Sequence, residues 1–593
     1  MDNLTGMKRT AYCAEFSLTD AGREVTVFGW VQRRRNLGSL IFIDLRDRSG
    51  ILQLAFDDST EPAVFEKANS VRSEYVLAAK GTIRERSSKN PDIPTGDIEV
   101  FVTELRVLGV SETTPFEILD DCSTAEQARL KHRYLDLRRP VLQNNILFRN
   151  KVTHIIRDFF YNEGFVDIDT PILMKSTPEG ARDFLVPSRL HKGTFYALPQ
   201  SPQLYKQLSM VAGFDKYIQI ARCFRDEDSR ADRQPEFTQI DMEMSFVDVP
   251  DIIDVGERMI KTVFKGALGV DLPEHFPTLT YARAMDEYGT DKPDTRYEMK
   301  LFDLSPVVAD CGFAVFEDTV KNGGTVRAFT AKDAYNVLTR KEIDKLTDMA
   351  KGSGAKGLAW ARLAADGTVA SSFGKFLSDD KMNELIAASD AVPGDVILIV
   401  ADRKKALALS VLGQLRGEVA NKLGIIKEGY NVLWITEFPF FDYDEEAGQY
   451  VAMHHPFTAP LDECIDYLET DKANVRAKCY DLVLNGIELA SGSIRITDPE
   501  LQKRIFALLN MTDEEADEKF GFLLNAFRYG PPPHGGIGIG LDRLVMQMLG
   551  ASSLRDVIPY PKLKDATEAM SECPSEVDPS QLEELGIAVV EAK

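Results

Sequence analysis

The chain has 593 residues, 44% of them hydrophobic and 27% charged, with a formal net charge of -23 at pH 7. That length is too great for one core and predicts three or more domains, while the composition is that of an ordinary soluble globular protein. No apolar run reaches the roughly 18 residues of a membrane-spanning helix, and Met1-Asp2-Asn3-Leu4 lacks the basic and apolar regions of a signal peptide.

The seven cysteines are scattered and never spaced as C-x-x-C. This fits reduced thiols in a cytoplasmic protein and argues against a disulfide framework or a structural zinc site. The acidic balance is the reverse of what a nucleic-acid binder shows. Total charge is a weak test in a large protein, however, and two stretches are locally basic: Arg33-Arg34-Arg35, and Arg129 to Arg139 with Lys131, Arg133 and Arg138.

Residues 1–110 read as short strands. Val25, Val27, Gly29 and Val31 alternate with Thr26, Phe28 and Trp30; runs 39–47 and 50–56 follow, with turn signals at Asn36-Leu37-Gly38 and Asp47-Arg48-Ser49-Gly50. The pattern predicts a small closed β-barrel of the oligonucleotide-binding type; a barrel with no nucleic-acid role reads equally well from it. Arg33 and Arg35 share a face if the strand continues through them. Ile41, Ile43 and Leu45 form the expected core face, so Phe42 points the other way, where a ring can stack on an unpaired base. Residues 111–140 form a connector ending in Arg138-Arg139-Pro140. It is either a plain hinge or a hinge that also touches an RNA backbone.

A second domain is expected from residue 141. An amphipathic helix over Ile146 to Tyr161 leads into Gly164-Phe165-Val166-Asp167-Ile168-Asp169-Thr170-Pro171, a turn, short strand and proline stop. A strand at Tyr217 to Ala221 and an alternating run with Phe237, Ile240 and Met242 predict an antiparallel pair joined by a long charged loop. Arg225 and Glu227, two apart, are expected to project from one face, and an arginine and a carboxylate so placed are costly to bury without a ligand. Between Arg296 and Val432 lies a domain's worth of mixed α/β pattern, for example Asp395 to Val400 before a helical Lys404 to Leu415.

Near the end stands His534-Gly535-Gly536-Ile537-Gly538-Ile539-Gly540-Leu541-Asp542-Arg543-Leu544. Glycine on alternate residues is poor for an ordinary strand and suits one against which a flat ligand lies. Arg543 then opens an apolar helical pattern. A fixed guanidinium beside a bare strand suits a nucleotide. The stretch is neither a phosphate loop nor G-x-G-x-x-G.

In chain order the stretches at 164, 222 and 534 resemble the three signature motifs of the class II aminoacyl-tRNA synthetases. The rest resembles the bacterial-type aspartyl group over essentially the whole chain. The pieces are Ala197-Leu198-Pro199-Gln200-Ser201-Pro202-Gln203-Leu204-Tyr205-Lys206, Phe224-Arg225-Asp226-Glu227, Arg233-Gln234-Pro235-Glu236-Phe237-Thr238-Gln239, and Met453-His454-His455-Pro456-Phe457.

The resemblance implies an α+β multidomain fold. Its parts are an anticodon-binding barrel (1–110), a hinge (111–140), an antiparallel-sheet catalytic domain in two parts (141–296 and 431–558), a large α/β insertion (297–430) and a C-terminal extension (559–593). It implies an ATP-dependent aspartate–tRNA ligase, cytoplasmic and homodimeric, with no membrane association. Such an enzyme joins the aspartate α-carboxylate to the α-phosphate of ATP and then passes the aspartyl group to the 3′ end of tRNA(Asp). Bringing like charges together calls for fixed cations and positioning more than a strong base.

By the same resemblance Arg225 and Arg543 are the catalytic cations. ATP is held by Arg225, Asp226, Glu227, Gln234, Phe237, Glu488, Gly540, Leu541, Asp542 and Arg543, with Phe237 stacked on adenine. Asp481 and Glu488 would hold Mg2+ beside the phosphates. L-aspartate falls to Glu179, Ser201, Gln203, Lys206, Arg225, Asp241, His454 and Arg495. Arg495 would take its side-chain carboxylate in bidentate fashion, with Lys206 as second cation. Anticodon contacts fall to Arg33, Arg35, Phe42, Gln53, Asn90 and Glu99. Asparagine or lysine ligases of this fold are opposed by the Arg495–Lys206 pair. A relaxed enzyme that charges both tRNA(Asp) and tRNA(Asn) stays open, although Leu37 and Lys89 look like the strict type. An inactive RNA-binding paralogue would have lost one of these charges, and none is missing.

Overall fold

The computed structural model describes residues 1–177, 180–446 and 448–590. The chain forms two compact units. One comprises 1–150, 229–233 and 551–576; the other comprises 151–228, 234–550 and 577–593.

In the first unit five strands close a barrel in the spatial order Glu24–Asn36, Ile41–Asp47, Gly50–Phe56, Ile98–Gly109 and Val76–Glu85. Val25, Val27, Val31, Ile41, Ile43, Leu45, Leu52 and Leu54 fill it, so the period-2 pattern carries over into the core. A bulge between Val31 and Arg33 re-aims the end of the first strand, where Arg33 lies opposite Asp44 and Arg35 opposite Phe42.

The connector is built around one carboxylate. Asp136 is fully buried and accepts from Arg129 at 3.1 Å, Arg133 at 2.7 Å and Arg139 at 3.0 Å. Arg139 also donates to the carbonyls of Leu119 and Asp120, and Arg133 to those of Arg555, Ile558 and Pro559. The basic stretch 129–139, read as a local sign of RNA contact, therefore places three of its arginines inward. Paired and hydrogen-bonded charge is the form in which arginine tolerates burial.

The second unit holds an eight-stranded sheet in the order Thr278–Thr280, Val432–Thr436, Cys479–Leu484, Ile487–Ile494, His534–Gly540, Glu236–Ser245, Lys216–Phe224 and Val166–Asp167. Its six inner strands pair antiparallel, and the two short outer ones lie parallel to their neighbours. Helix Leu541–Leu549 buries Leu544, Val545 and Met548 and ends at Gly550 with φ 63°. Between the second and third strands in sequence order of the inner set, a five-stranded antiparallel sheet (302–402) is covered by helices Arg340–Gly352 and Lys405–Leu423. Two apolar clusters pack on its strands.

Candidate functional site

Register brings the chemistry of the second unit onto one sheet face. Gly540, Gly538 and Gly536 lie opposite Gln239, Asp241 and Glu243, and on the other side of the central strand Asp241 pairs with Gln219 and Glu243 with Tyr217. Ser491 and Ser493 lie opposite Gly538 and Gly536, and Asp481 and Cys479 lie opposite those serines. Alternation then puts Phe237, Gln239, Asp241 and Glu243 on the same side as the three glycines.

The glycines differ in cause. A Cβ at Gly536 would collide with the Glu243 carboxylate and the Met242 carbonyl, whereas one at Gly538 would approach nothing nearer than Asp241 Oδ1 at 3.2 Å, and one at Gly540 nothing nearer than 3.6 Å. Gly536 is required by the protein's own packing. Gly538 and Gly540 leave bare floor, as a ligand lying on the backbone needs.

A buried charge cluster sits on that floor. Lys206, from helix Gln203–Val211, lies 3.2 Å from Asp241 Oδ1 and 3.4 Å from Glu243 Oε2. Arg495 donates through Nε to Glu243 Oε1 at 3.0 Å, through Nη2 to Oε2 at 3.3 Å and through Nη1 to Ser493 Oγ at 2.5 Å. Burial pushes the Glu243 carboxyl up, but Arg495 and Lys206 outweigh it and hold the value below the ordinary one. Asp241 moves the other way: burial dominates, Glu243 adds to it, and Lys206 only partly opposes. Two cations thus face one firmly ionised carboxylate and one pushed toward its neutral form, a cluster matched to an incoming anion.

Among the described residues, Asp241 Oδ2, Gln203 Nε2, Arg225 Nε, His454 Nδ1, His455 Nε2 and Asp481 Oδ1 are buried without a hydrogen-bond partner. Such groups are costly unless a ligand completes them. Burial lowers His454 to about 4 and His455 to about 3, with Arg495 and Lys206 adding at His455, so both rings are neutral near pH 7.

Arg225 places its guanidinium 5.2 Å from the centre of the Phe237 ring. The expected shared face of Arg225 and Glu227 does not form. The strand stops at Phe224, and Glu227 N bonds back to Arg225 O at 2.9 Å, closing a turn that breaks the alternation. Asp226 N donates to Arg182 O at 3.0 Å, and Gln234 is buried. Asp542 accepts from Thr238 N at 2.8 Å and ties the final helix to the central strand. Leu541 is buried beside it, and Arg543 Nη1 donates to Glu488 O at 3.0 Å. Ser201 Oγ accepts from Gln203 N at 3.3 Å. Glu179 lies outside the described residues.

Asp481 and Glu488 stand on neighbouring strands. A bulge between Leu482 and Val483 puts Glu488 opposite Val483, and so on the Asp481 face. Burial raises Asp481 well above the carboxylate range, and the Glu488 charge raises it further. His454, Cys479 and Asp481 also bring ligand atoms within 4.8 Å of one another. The Cys479 thiol donates to Gly492 O at 3.1 Å and burial pushes its pKa up, so it is no thiolate ligand. Without it the site offers the Asp481 and Glu488 carboxylates, hard oxygens that suit Mg2+, with the His454 imidazole beside Asp481.

In the barrel, Arg35 donates to Gln53 Oε1 at 2.8 Å and Asp44 Oδ1 at 3.2 Å, and its guanidinium lies 5.6 Å from the Phe42 ring centre. Gln53 donates to Glu99 Oε2 at 2.6 Å, and Arg84 Nε donates to Glu99 Oε1 at 2.8 Å. Four of the six residues assigned to the anticodon thus form one network. Arg33 lies two positions away on the strand, and Asn90 caps its own loop by accepting from Asp92 N at 3.0 Å.

Sequence reasoning assigned no role to Glu243 or His455. Glu243 has the same strand parity as Phe237, Gln239 and Asp241, and that was the signal available.

A family model described as class II tRNA synthetases (D, K and N) matches residues 125–564, and one described as an OB-fold nucleic acid binding domain matches 25–108. The chain is 53% identical over 591 residues to the aspartate–tRNA ligase of Agathobacter rectalis, covering 99% of this chain and 98% of that protein. It is 54% identical over 593 residues to the aspartate–tRNA(Asp/Asn) ligase of Lachnoclostridium phytofermentans, with 99% and 98% covered. Its fold is similar to a putative aspartyl-tRNA synthetase from Leishmania major, with TM-score 0.59, 20% identity, and 95% and 96% covered. It is also similar to the asparaginyl-tRNA synthetase of Pyrococcus horikoshii complexed with asparaginyl-adenylate, with TM-score 0.58, 18% identity, and 94% and 98% covered.

Proposed function

We propose a residue-level reaction for this chain, which belongs to the class II tRNA synthetases of the aspartate, lysine and asparagine group and is an aspartate–tRNA ligase. The aspartate side-chain carboxylate is held by Arg495 and Lys206, and its ammonium group by Asp241 Oδ2. The single observation that carries this reading is the buried Lys206–Glu243–Arg495 bridge with Asp241 beside it. An amide in place of the carboxylate would leave that charge uncompensated.

ATP lies on the bare strand at Gly538 and Gly540, its base against Phe237 and its phosphates toward Arg225 and Arg543. Arg225 steers the aspartate α-carboxylate onto the α-phosphorus; the new C–O–P bond forms as the bond to pyrophosphate breaks. Arg225 and Arg543 offset the charge that develops, and the neutral His454 and His455 close off the pocket wall. Asp481 and Glu488 fit Mg2+, which when bound draws charge from the phosphates. The terminal ribose hydroxyl of tRNA then attacks the adenylate carbonyl and AMP leaves.

Arg33, Arg35, Phe42, Gln53, Asn90 and Glu99 read the anticodon of tRNA(Asp). The enzyme acts in the cytoplasm as a homodimer: exposed Val166, Ile172 and Leu173 lie in or beside the first motif, on the sheet's outer edge. A second reading, charging of tRNA(Asn) as well, is favoured by the Asp/Asn name of a relative at 54% identity.

Aminoacylation with purified tRNA(Asp) and tRNA(Asn), labelled aspartate, ATP and Mg2+ tests this. Charging of tRNA(Asp) alone supports the strict enzyme. Charging of both moves it to the relaxed type, and charging of neither by folded protein overturns the proposal.

A further inference from the structure

The barrel carries a second cationic site away from the Arg35–Gln53–Glu99 network. A cavity of about 250 Å³ is lined by Arg9, Tyr12, Trp30, Arg46, Arg48 and Arg138, with Asp47 and Gln143 beside them. At ~30 Å³ per water this is room for several waters, or for a phosphodiester and part of a ribose. The four guanidinium groups are not equally engaged. Arg46 and Arg138 both bond Glu74, at 2.8 Å and 2.9 Å, and Arg138 lies 5.0 Å from the Trp30 ring centre. Arg9 and Arg48 have no carboxylate among the described residues. Each lies over the Tyr12 ring, at 4.7 Å and 4.4 Å, and Arg9 makes one hydrogen bond, to Phe28 O at 3.2 Å. Asp47 is turned to its own turn, accepting from Cys13 N and Ser49 N.

Two exposed cations set against an aromatic ring, beside a cavity, in a chain of net charge -23, form a local anion site. The wall is the outer side of the two strands that also carry Arg35 and Phe42: Trp30 pairs with Arg46, and Arg35 with Phe42. At ~3.3 Å per residue over Phe42 to Arg46, the two sites stand on the order of 13 Å apart along the strand, a spacing that one RNA strand bridges in a few nucleotides. We propose that this pocket holds a backbone phosphate of the substrate RNA against Arg9 and Arg48, on the same barrel face as the Arg35–Phe42 pair but beyond its network. The inference rests on the ligase reading for its partner, but the site itself is testable apart from it.

The test uses the full chain with Arg9→Gln and Arg48→Gln combined, set against the wild type. Aspartate-dependent ATP–pyrophosphate exchange is expected unchanged. The KM for tRNA in aminoacylation should rise about 5- to 20-fold near 150 mM salt, and the slope of log KM against log salt should fall by about 1 to 2. Trp30 fluorescence, read as the difference between wild type and Trp30→Phe, should respond to tRNA. An unchanged KM and salt slope in a wild type that charges tRNA overturns the site. A Trp30 response to AMP or pyrophosphate alone, with tRNA KM unchanged, overturns the RNA assignment in favour of a free nucleotide. A wild type that forms aspartyl-adenylate but charges no tRNA, and whose Trp30 is silent to RNA, overturns both readings; a Trp30 response to RNA without charging supports the site and removes the ligase reading alone.

Discussion

Glu243 grips Arg495 at two points, with Oε1 3.0 Å from Nε and Oε2 3.3 Å from Nη2, and the same Oε2 lies 3.4 Å from Lys206 Nζ. One carboxylate therefore fixes both cations proposed to hold the substrate carboxylate, although Arg495 lies 252 residues away in sequence.

Glu243→Gln keeps the shape and removes the charge. Breaking one side of a fully buried ion pair costs about 3–5 kcal/mol. Thermal unfolding should show a clear loss, and kcat/KM for aspartate in ATP–pyrophosphate exchange should fall by about 100-fold or more. Wild-type stability and KM in this variant would show that the bridge is incidental.

Gly536 and Gly538 should respond differently to alanine. Gly536→Ala forces a methyl group into the Glu243 carboxylate and the Met242 carbonyl and should destabilise the fold by about 1–3 kcal/mol or more, the scale of core overpacking. Gly538→Ala meets Asp241 Oδ1 at 3.2 Å and the Gln239 side chain at 3.7 Å, both side chains that can give way. It should leave Tm within a few degrees while raising the KM for ATP about 10-fold. Unfolding scans with exchange kinetics separate the two, and equal effects on both would contradict the floor assignment.

The difference between those glycines also marks what the sequence discloses. Alternation in 534–540 and 236–245 was enough to predict a bare strand and an alternating partner, while only the family resemblance put Asp241 and Arg495 in one pocket. Alternation could not separate a glycine required by Glu243 from one that leaves room for a ligand, because that depends on register across strands far apart in the chain. The arginines of 129–139 looked like a surface patch for the same reason: Asp136 is one acid among many until folding buries it. The bulge at Leu482/Val483, which turns Glu488 toward Asp481, has no signature in residue spacing. Glu227 failed in the opposite sense, since a period-2 argument was carried past the residue where the strand ends.

His454 and His455 make stability depend on pH. Their folded values of about 4 and about 3 lie below the ordinary 6.5, so the unfolded chain takes up more protons as pH falls from about 6.5 toward 4. Their contribution is full above pH 6.5, is lost progressively below it, and stops changing below about pH 3. Unfolding midpoints between pH 7.5 and 4.5 should decline, and His454→Gln with His455→Gln should flatten that decline. A slope unchanged in the double variant would contradict it.

Asp136→Asn should unfold the connector, because three arginines lose the carboxylate that pairs them. The expected cost is about 3–5 kcal/mol. Limited proteolysis should cut first within 111–140, whereas protection equal to wild type would show that the backbone carbonyls suffice.

The most direct test of the account is ATP–pyrophosphate exchange by the wild-type chain with aspartate and with asparagine. If Arg495 and Lys206 hold the substrate carboxylate as proposed, the enzyme should favour aspartate by about 1,000-fold or more in kcat/KM. Comparable exchange with the two amino acids would contradict the assignment of Arg495 and Lys206.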